Sequence, residues 1–290
     1  MSKEIILSNA IKTWFVTGAS KGIGQRLVRQ LLARGDRVAA TSRTVASLTE
    51  TIGPGSKQFL PLQADLTDDQ SIGDAIAQTI KRFGKLDVIV NNAGYAQQGT
   101  VEALSDAELR QNFDINLFAP LAVLRHVLPH LREQRSGHVI NLSSIVGFQG
   151  GYAGWGSYVA TKFALAGLTE SLAAEVAEFG IKATVVYPGP VRTDFLSSGA
   201  LAVSTRQIDA YTEAKASLDL HLDTFHGRQA GDPDKVATLI MQAADVAEPP
   251  VHLFVGKIAN ELAARKVASI KRDLDVWKGL SEATDFDEQA

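Results

Sequence analysis

Thr13-Trp-Phe-Val-Thr17 runs directly into Gly18-Ala-Ser-Lys-Gly-Ile-Gly24, and beyond it Ile23, Leu27 and Leu31 form one apolar row with Val28 and Leu32 beside it. The first run reads as a buried strand and the row as a helix. Gly35 supplies the stop. A strand that turns through glycines into a helix offers free N–H groups and the positive end of the helix dipole to a phosphate. The same pattern also serves as a plain glycine turn. It is not the phosphate loop of ATPases, because Lys21 precedes Gly22 where that motif needs Gly-Lys-Ser/Thr after the middle glycine.

The alternation continues along the chain. Residues 37–41, 58–63, 86–90, 138–142, 183–187 and 251–255 are further strand-like runs, separated by helical patterns. Ile72, Ile76, Ile80 and Phe83 give one of these helices its buried stripe, and Thr67-Asp-Asp-Gln70 and Ser105-Asp-Ala-Glu108 both fit capping boxes. The reading predicts an α/β fold: a single domain with a doubly wound (Rossmann) seven-stranded parallel sheet and helices on both faces. Two segments stand outside the alternation, Pro190 to Arg228 and the tail from Lys257 to Ala290. The first follows the carboxyl end of a strand, where such sheets keep their ligands.

With 290 residues, 45% of them hydrophobic and 21% charged, the chain has enough apolar material for one large core. The formal net charge of −3 and the lack of long like-charge runs argue against nucleic-acid or anionic-membrane partners. No cysteine is present, which excludes disulfides and thiolate metal sites. The N-terminus lacks the apolar core of a signal peptide, and the greasiest region, Leu117 to Leu131, is broken by Arg125 and His126 and contains two prolines. A cytoplasmic protein without a membrane span is expected. His126 and His130 are four apart but lack the glutamate of a zinc-peptidase motif, so they read as a solvent-facing or packing pair and no metal is expected.

About 20 residues past the glycine turn, an NAD site places a carboxylate on the ribose 2′-hydroxyl. Here the second strand ends Thr41-Ser42-Arg43. A neutral Ser42 beside Arg43, with Lys21 in the glycine loop, suits a 2′-phosphate, so NADP(H) is expected in preference to NAD(H).

Residues 144–162 carry the chemistry: Tyr158 and Lys162 lie one turn apart on one helix face. A phenol with pKa near 10 exchanges protons poorly at neutral pH unless its phenolate is stabilised. An ammonium about 4 Å away, at an effective dielectric of about 20, contributes on the order of 4 kcal/mol, roughly three pKa units before desolvation. The pair is therefore expected to act as an acid/base near pH 7, although Tyr and Lys at this spacing also occur as a surface pair. Asn116 precedes Pro120 by four, and proline has no N–H for its carbonyl, so a kink and a ready water site are expected there. No Gly-x-Ser-x-Gly elbow surrounds Ser144, which argues against a serine hydrolase.

Taken together, Thr17-Gly-Ala-Ser-Lys-Gly-Ile-Gly24, Asp65-Leu66, Asn91-Asn-Ala-Gly94, Asn116, Ser144, Tyr158-x-x-x-Lys162 and Pro188-Gly-Pro-Val-Arg-Thr193 resemble the classical short-chain dehydrogenases/reductases over about residues 10 to 256. The branch grouped with 17-beta-hydroxysteroid dehydrogenases looks closest. The resemblance implies a dinucleotide-binding catalytic domain over residues 1–256, with a substrate-binding insertion at about 190–230, and a C-terminal helical tail over 257–290. It implies that Gly18, Ser20, Lys21, Gly22, Ile23 and Gly24 cradle the cofactor, with Ser42 and Arg43 at its ribose and Asp65 and Leu66 at its adenine. Asn92, Ala93 and Gly94 would line the cofactor channel, and Pro188, Gly189, Val191 and Thr193 would hold the nicotinamide end.

In the same reading Tyr158 is the proton donor in reduction, Lys162 lowers its pKa and binds the nicotinamide ribose, Ser144 bonds the substrate oxygen, and Asn116 positions a relay water. Ser144 is preferred to Ser143 because the family serine is usually the second of such a pair. Ser144 lies 14 positions before Tyr158, one more than the commonest family spacing. Relatives are commonly dimers or tetramers, which implies a homo-oligomer.

The expected activity is interconversion of a small-molecule carbonyl and its alcohol. Walls drawn from Tyr95 to Gln98, Phe148 to Trp155 and Phe195 to Phe225 point to a mainly apolar ketone or aldehyde. The competing expectation is a non-catalytic NADP(H)-binding sensor or scaffold, for which a broken catalytic set would be the sign.

Overall fold

The computed structural model describes residues 10–196, 199–225 and 227–286; the N-terminal residues 1–9, the acidic end from 287, and the side chains of Thr224 and Phe225 lie outside the described residues. The strands are β1 (Thr13–Val16), β2 (Arg37–Ser42), β3 (Phe59–Gln63), β4 (Val88–Asn91), β5 (Ala96–Gln98), β6 (Gly137–Leu142), β7 (Ile181–Pro188), β8 (Leu201–Val203) and β9 (His252–Val255). The helices are α1 (Gly22–Arg34), α2 (Val45–Thr51), α3 (Asp69–Phe83), α4 (Asp106–Phe113), α5 (Ala119–Gln134), α6 (Gly156–Val176), α7 (Thr212–Asp219), α8 (Pro233–Asp245) and α9 (Lys257–Glu282).

Seven strands form one parallel sheet in the order β3-β2-β1-β4-β6-β7-β9. The chain winds outward from β1 to β3, then crosses back to β4 and winds the other way. A crevice therefore opens at the carboxyl ends of β1 and β4. Side chains alternate across the sheet. Trp14, Val16, Val38, Val90 and Ile140 meet Leu27, Leu31 and Ile240 of α1 and α8 on one face. Phe15, Ile89 and Val139 meet Ile72, Val127 and Leu172 of α3, α5 and α6 on the other. This is the expected doubly wound architecture in one domain.

Four details depart from or sharpen the sequence reading. β5 and β8, three residues each, pair in parallel as a separate small sheet, with Ala96 opposite Leu201 and Gln98 opposite Val203. Segments this short carry no readable period. The Ser105–Glu108 capping box forms as expected. The one at Thr67 does not: Asp68 caps α3 by accepting from Gln70 N–H at 3.0 Å, while the Thr67 hydroxyl donates to Asp65 at 2.7 Å. A carboxylate one residue on is the better acceptor for the helix end. The kink expected before Pro120 takes the form of a π-turn over Asp114–Phe118, which opens into α5. No helix among the described residues is long and apolar enough to cross a membrane.

The ends of β1, α1 and α8 are tied by charge. Buried Asp245 accepts from Lys12 and Arg34; Arg34 also pairs with buried Asp36 at 2.6 Å, and Asp36 accepts the Lys12 backbone N–H at 2.8 Å. Removing one partner strands the other charges in a poorly hydrated pocket. Asp245→Ala is expected to cost about 3 kcal/mol and to lower Tm by roughly 5–10 °C, read by thermal unfolding.

Candidate active site

At the crevice the loop after β1 is stitched to the loop after β4. The Thr17 hydroxyl oxygen accepts the N–H groups of Asn92 and Ala93, both at 3.1 Å, and Asn92 Nδ2 donates to the carbonyls of Thr17 and Gly18, both at 2.9 Å. The glycines are what allow it. Gly18 has φ +65°, and a Cβ on it would lie 2.8 Å from Ala93 Cα; a Cβ on Gly24 would lie 2.4 Å from Asn92 Nδ2.

Gly22 opens α1, Ser20 is half-buried in the turn before it, and Ile23 packs on the core beneath. Lys21 at the N-cap makes no side-chain cap, and the first turn of α1 holds no acidic residue. The helix thus presents its donors and its dipole to the crevice with no carboxylate in the way. Thr193 reaches across from the far side, its methyl 3.7 Å from where a Gly22 Cβ would stand. Uncapped donors, a floor without Cβ atoms and a closing rim fit the pyrophosphate of a dinucleotide.

The rest of the expected cofactor set rims this crevice. Ser42 ends β2 with its hydroxyl 2.7 Å from that of Ser47, and Arg43 beside it is exposed. The Lys21 ammonium stands 3.8 Å from a Cβ position on Gly199. Asp65 follows β3, and hydrogen bonds from the Thr67 hydroxyl and N–H hold its carboxyl below the usual range. Leu66 lies with Thr17, Ala93 and Ile115 along a narrow cleft too tight for a water molecule. Beyond Pro188 the chain passes Gly189, where a Cβ would come within 3.3 Å of the Ala259 N atom, and Val191 bridges to Gly231.

α6 carries Tyr158 and Lys162 against the ends of β4 and β6, both side chains buried. Lys162 Nζ donates to the Leu142 carbonyl at 2.9 Å and stands 5.8 Å from the centre of the Tyr158 ring. A Cβ on Gly94 would meet it at 3.3 Å and the Asn116 Oδ1 at 2.9 Å, so Gly94 lets the backbone run against both groups. The two serines after β6 part company. Ser143 donates to the Lys162 carbonyl at 2.9 Å, whereas Ser144 caps the 3-10 turn over Ile145–Gly147 by accepting the Val146 N–H at 3.3 Å and lies close enough to the Tyr158 phenol to favour its phenolate.

The electrostatics run against the expectation from spacing. Burial pushes the Tyr158 phenol well above its ordinary range, opposed by nearby Ser144, and burial pushes Lys162 down to about 8. Each charged form loses its hydration, and the ammonium directs a donor to the Leu142 carbonyl. Helical spacing alone takes no account of that cost.

Asn116 lies in the π-turn, and both its amide nitrogen and its amide oxygen are hydrogen-bonded. Its Nδ2 donates to the Tyr95 carbonyl at 2.9 Å and to Thr161 Oγ1 at 3.1 Å, and its Oδ1 accepts the Tyr95 N–H at 3.0 Å. Asn112 repeats the arrangement one turn earlier, donating to the Tyr95 carbonyl at 3.1 Å and accepting from Ser157 at 3.0 Å. Sequence reasoning passed over Asn112, Ser157 and Thr161. The signal was present: Asn112/Asn116 and Ser157/Thr161 are two polar pairs at i, i+4, and they face each other across the α4–α6 junction.

Ala96 and Trp155 form an apolar cluster with Tyr158, and Val146, Tyr152, Val159, Phe195, Leu201 and Leu218 pack against it. The insertion is held down over this cluster by the β5–β8 pairing, by Trp155 Nε1 donating to Ser217 at 3.0 Å, and by Trp155 packing on His221 at 4.6 Å between ring centres. Phe148, expected in the wall, turns the other way and packs edge-on against Tyr187 and Phe254. Phe225, at the end of the expected wall, has its side chain outside the described residues. His126 bonds Asp69 at 3.2 Å on the surface, and among the described residues no cluster of acidic and His side chains is arranged to hold a metal.

A family profile described as short chain dehydrogenase matches residues 12–202. The chain is 34% identical to "Oxidoreductase BOA17" of Botryotinia fuckeliana, over 94% of this chain and 99% of that protein. It is 33% identical to a 3-ketodihydrosphingosine reductase of Bacteroides thetaiotaomicron, over 86% of this chain and 90% of the other. A crystal structure of a short-chain dehydrogenase from Streptomyces avermitilis superposes with a TM-score of 0.87 at 36% identity, covering 96% of this chain and 99% of that one. On these matches and the sheet topology, the chain belongs to the short chain dehydrogenase family, oxidoreductases that interconvert alcohols and carbonyls with a nicotinamide cofactor.

Proposed function

We propose that the protein is an NADP(H)-dependent oxidoreductase that interconverts a mainly apolar ketone or aldehyde and its alcohol. The observation that carries this is the meeting of Ser144, Tyr158 and Lys162 beside an apolar cluster and next to Gly94 of the crevice. A bound nicotinamide supplies or accepts the hydride. Gly18, Ser20, Gly22, Ile23 and Gly24, with Lys21, hold the pyrophosphate; Asp65 and Leu66 flank the adenine; Asn92 to Gly94 line the channel; Pro188, Gly189, Val191 and Thr193 hold the nicotinamide end.

Tyr158 stays protonated at neutral pH because burial disfavours its phenolate, so it enters carbonyl reduction as the acid. Ser144 donates to the substrate oxygen as negative charge builds there. Lys162, charged below about pH 8, steadies the proton transfer and binds the nicotinamide ribose. The Asn116 carbonyl receives no N–H from Pro120 and offers a water site for proton resupply.

Ser42 and Arg43 support NADP(H), since no carboxylate follows β2 before Glu50 and the exposed guanidinium can fork onto a 2′-phosphate. The apolar lining supports the substrate class. The 3-ketodihydrosphingosine reductase relative is named for reduction of a ketone, in line with this reading.

Absorbance at the reduced-nicotinamide band should report turnover of apolar ketones or aldehydes with NADPH. Turnover confined to phosphorylated or CoA-linked carbonyls rejects the substrate class. Tyr158→Phe should lower kcat by about 10³-fold with NADPH affinity unchanged; a variant that keeps its activity removes Tyr158 from the acid role. Ser144→Ala should cost about 10²-fold in kcat, whereas Ser143→Ala should act on stability, by about 1 kcal/mol in denaturant unfolding. Arg43→Ala should raise the KM for NADPH about tenfold and leave that for NADH alone, a loss on the scale of one charge-assisted hydrogen bond; equal effects on both cofactors count against the 2′-phosphate contact.

A further inference from the structure

β5 brings a polar side chain to the border of the apolar cluster at Tyr158. Side chains alternate along a strand, so Ala96 and Gln98 share one face of β5, the face that meets Trp155 and Tyr158. Gln98 is only 2% exposed. Its carboxamide lies between the turn before α6 and α7 of the insertion: a Cβ on Gly154 would stand 2.8 Å from Gln98 Nε2 and 3.1 Å from Ala214 Cβ. The glycine leaves the space that the amide fills.

α7 turns one face to this corner. Ala214 lies beside Gln98; Ser217 and Leu218, three and four residues on, accept from Trp155 Nε1 at 3.0 Å and pack against the Tyr158 cluster respectively. The amide and the cluster thus sit under the same stretch of helix.

The amide is half satisfied. Its Nε2 faces the Ala214 carbonyl at 3.5 Å, while Oε1 is buried and receives no hydrogen bond among the described residues. Turning the amide over would set two acceptors against each other, so the free atom is the oxygen. A buried acceptor without a donor is costly, and buried polar groups are as a rule paired. The neighbours dictate which donor suits it. Ala96, Gly154, Trp155 and Ala214 carry no charge, so an ammonium here would be a buried, unpaired ion. A phosphate or carboxylate would bring acceptor to acceptor. A neutral hydroxyl fits.

We propose that Gln98 sets the specificity of the site: its Oε1 accepts a hydrogen bond from a hydroxyl that the apolar carbonyl substrate carries away from its reacting carbon. This rests on the reading of Tyr158 as the acid of carbonyl reduction. Ala96 and Gln98 are about 7 Å apart along the strand, so with the carbonyl at Tyr158 the hydroxyl lies several bonds away. A ketone without it leaves the oxygen buried and unpaired, which is how a site built to bond a hydroxyl rejects an analogue that lacks one.

The test uses initial rates with NADPH on a panel of apolar ketones, each beside its counterpart hydroxylated at the far end and the methyl ether of that counterpart. Decalone and the decalone hydroxylated on the far ring begin one such set. The wild type should favour the hydroxylated ketone in kcat/KM by about tenfold, and the methyl ether, which has no O–H, should show no such gain. Gln98→Met, which keeps the length of the side chain, should abolish the preference; damage to the fold lowers both rates and leaves their ratio in place. A wild type without the preference, a methyl ether as good as the alcohol, or a Gln98→Met variant that still prefers the alcohol each overturns the assignment of Gln98 alone. Absence of turnover with every ketone instead rejects the apolar-carbonyl reading, and the assignment falls with it.

Discussion

An ammonium held away from water governs this structure. Lys162 lies inside the fold with its donor on the Leu142 carbonyl, and burial lowers its pKa to about 8. The folded value lies below the unfolded one, so keeping the group charged costs stability in full below about pH 8 and progressively less as pH rises from 8 toward its ordinary value of 10.5. The gap corresponds to about 3 kcal/mol at neutral pH, a large share of the net stability of a typical domain. Packing elsewhere must offset that cost. The two hydrophobic layers on either face of the sheet are the source of the surplus.

The polar interior around α6 shows how such a site is kept in place. Asn91 donates to Asn141, which donates to Thr169 of α6 at 2.9 Å. Asn112 and Asn116 clamp the Tyr95 backbone and reach Ser157 and Thr161. These bonds satisfy buried polar groups across strand, π-turn and helix, and they fix the rotation of α6 about its axis. That rotation decides whether Tyr158 meets Ala96, Trp155 and Phe195 or the core under the sheet. The π-turn follows from Pro120 and sets the angle at which Asn116 enters the network.

Much of the fold was legible because the signals are periodic. Alternating buried runs and helical rows specify a parallel sheet with two covered faces, and Gly18, Gly22 and Gly24 mark where backbone must approach backbone. The small β5–β8 sheet was not legible, since a three-residue strand is defined by its partner, and here the partners lie about a hundred positions apart. The cap of α3 was misplaced for a related reason: Thr67 and Asp68 are both good caps, and the contact from Thr67 to Asp65 decides between them.

The sequence by itself determined which side chains could do chemistry and that Tyr158 and Lys162 share a helix face, because helix geometry is local. Only the tertiary structure decided their charge states. The sign of each pKa shift depends on how much water the surrounding elements exclude and on which carbonyl the ammonium meets, and those neighbours come from β6 and from the insertion rather than from α6. It likewise decided that Phe148 supports Tyr187 and Phe254 instead of joining the cluster at Tyr158, since an aromatic beside a turn can swing to either side and the space left by α9 and β9 selects one.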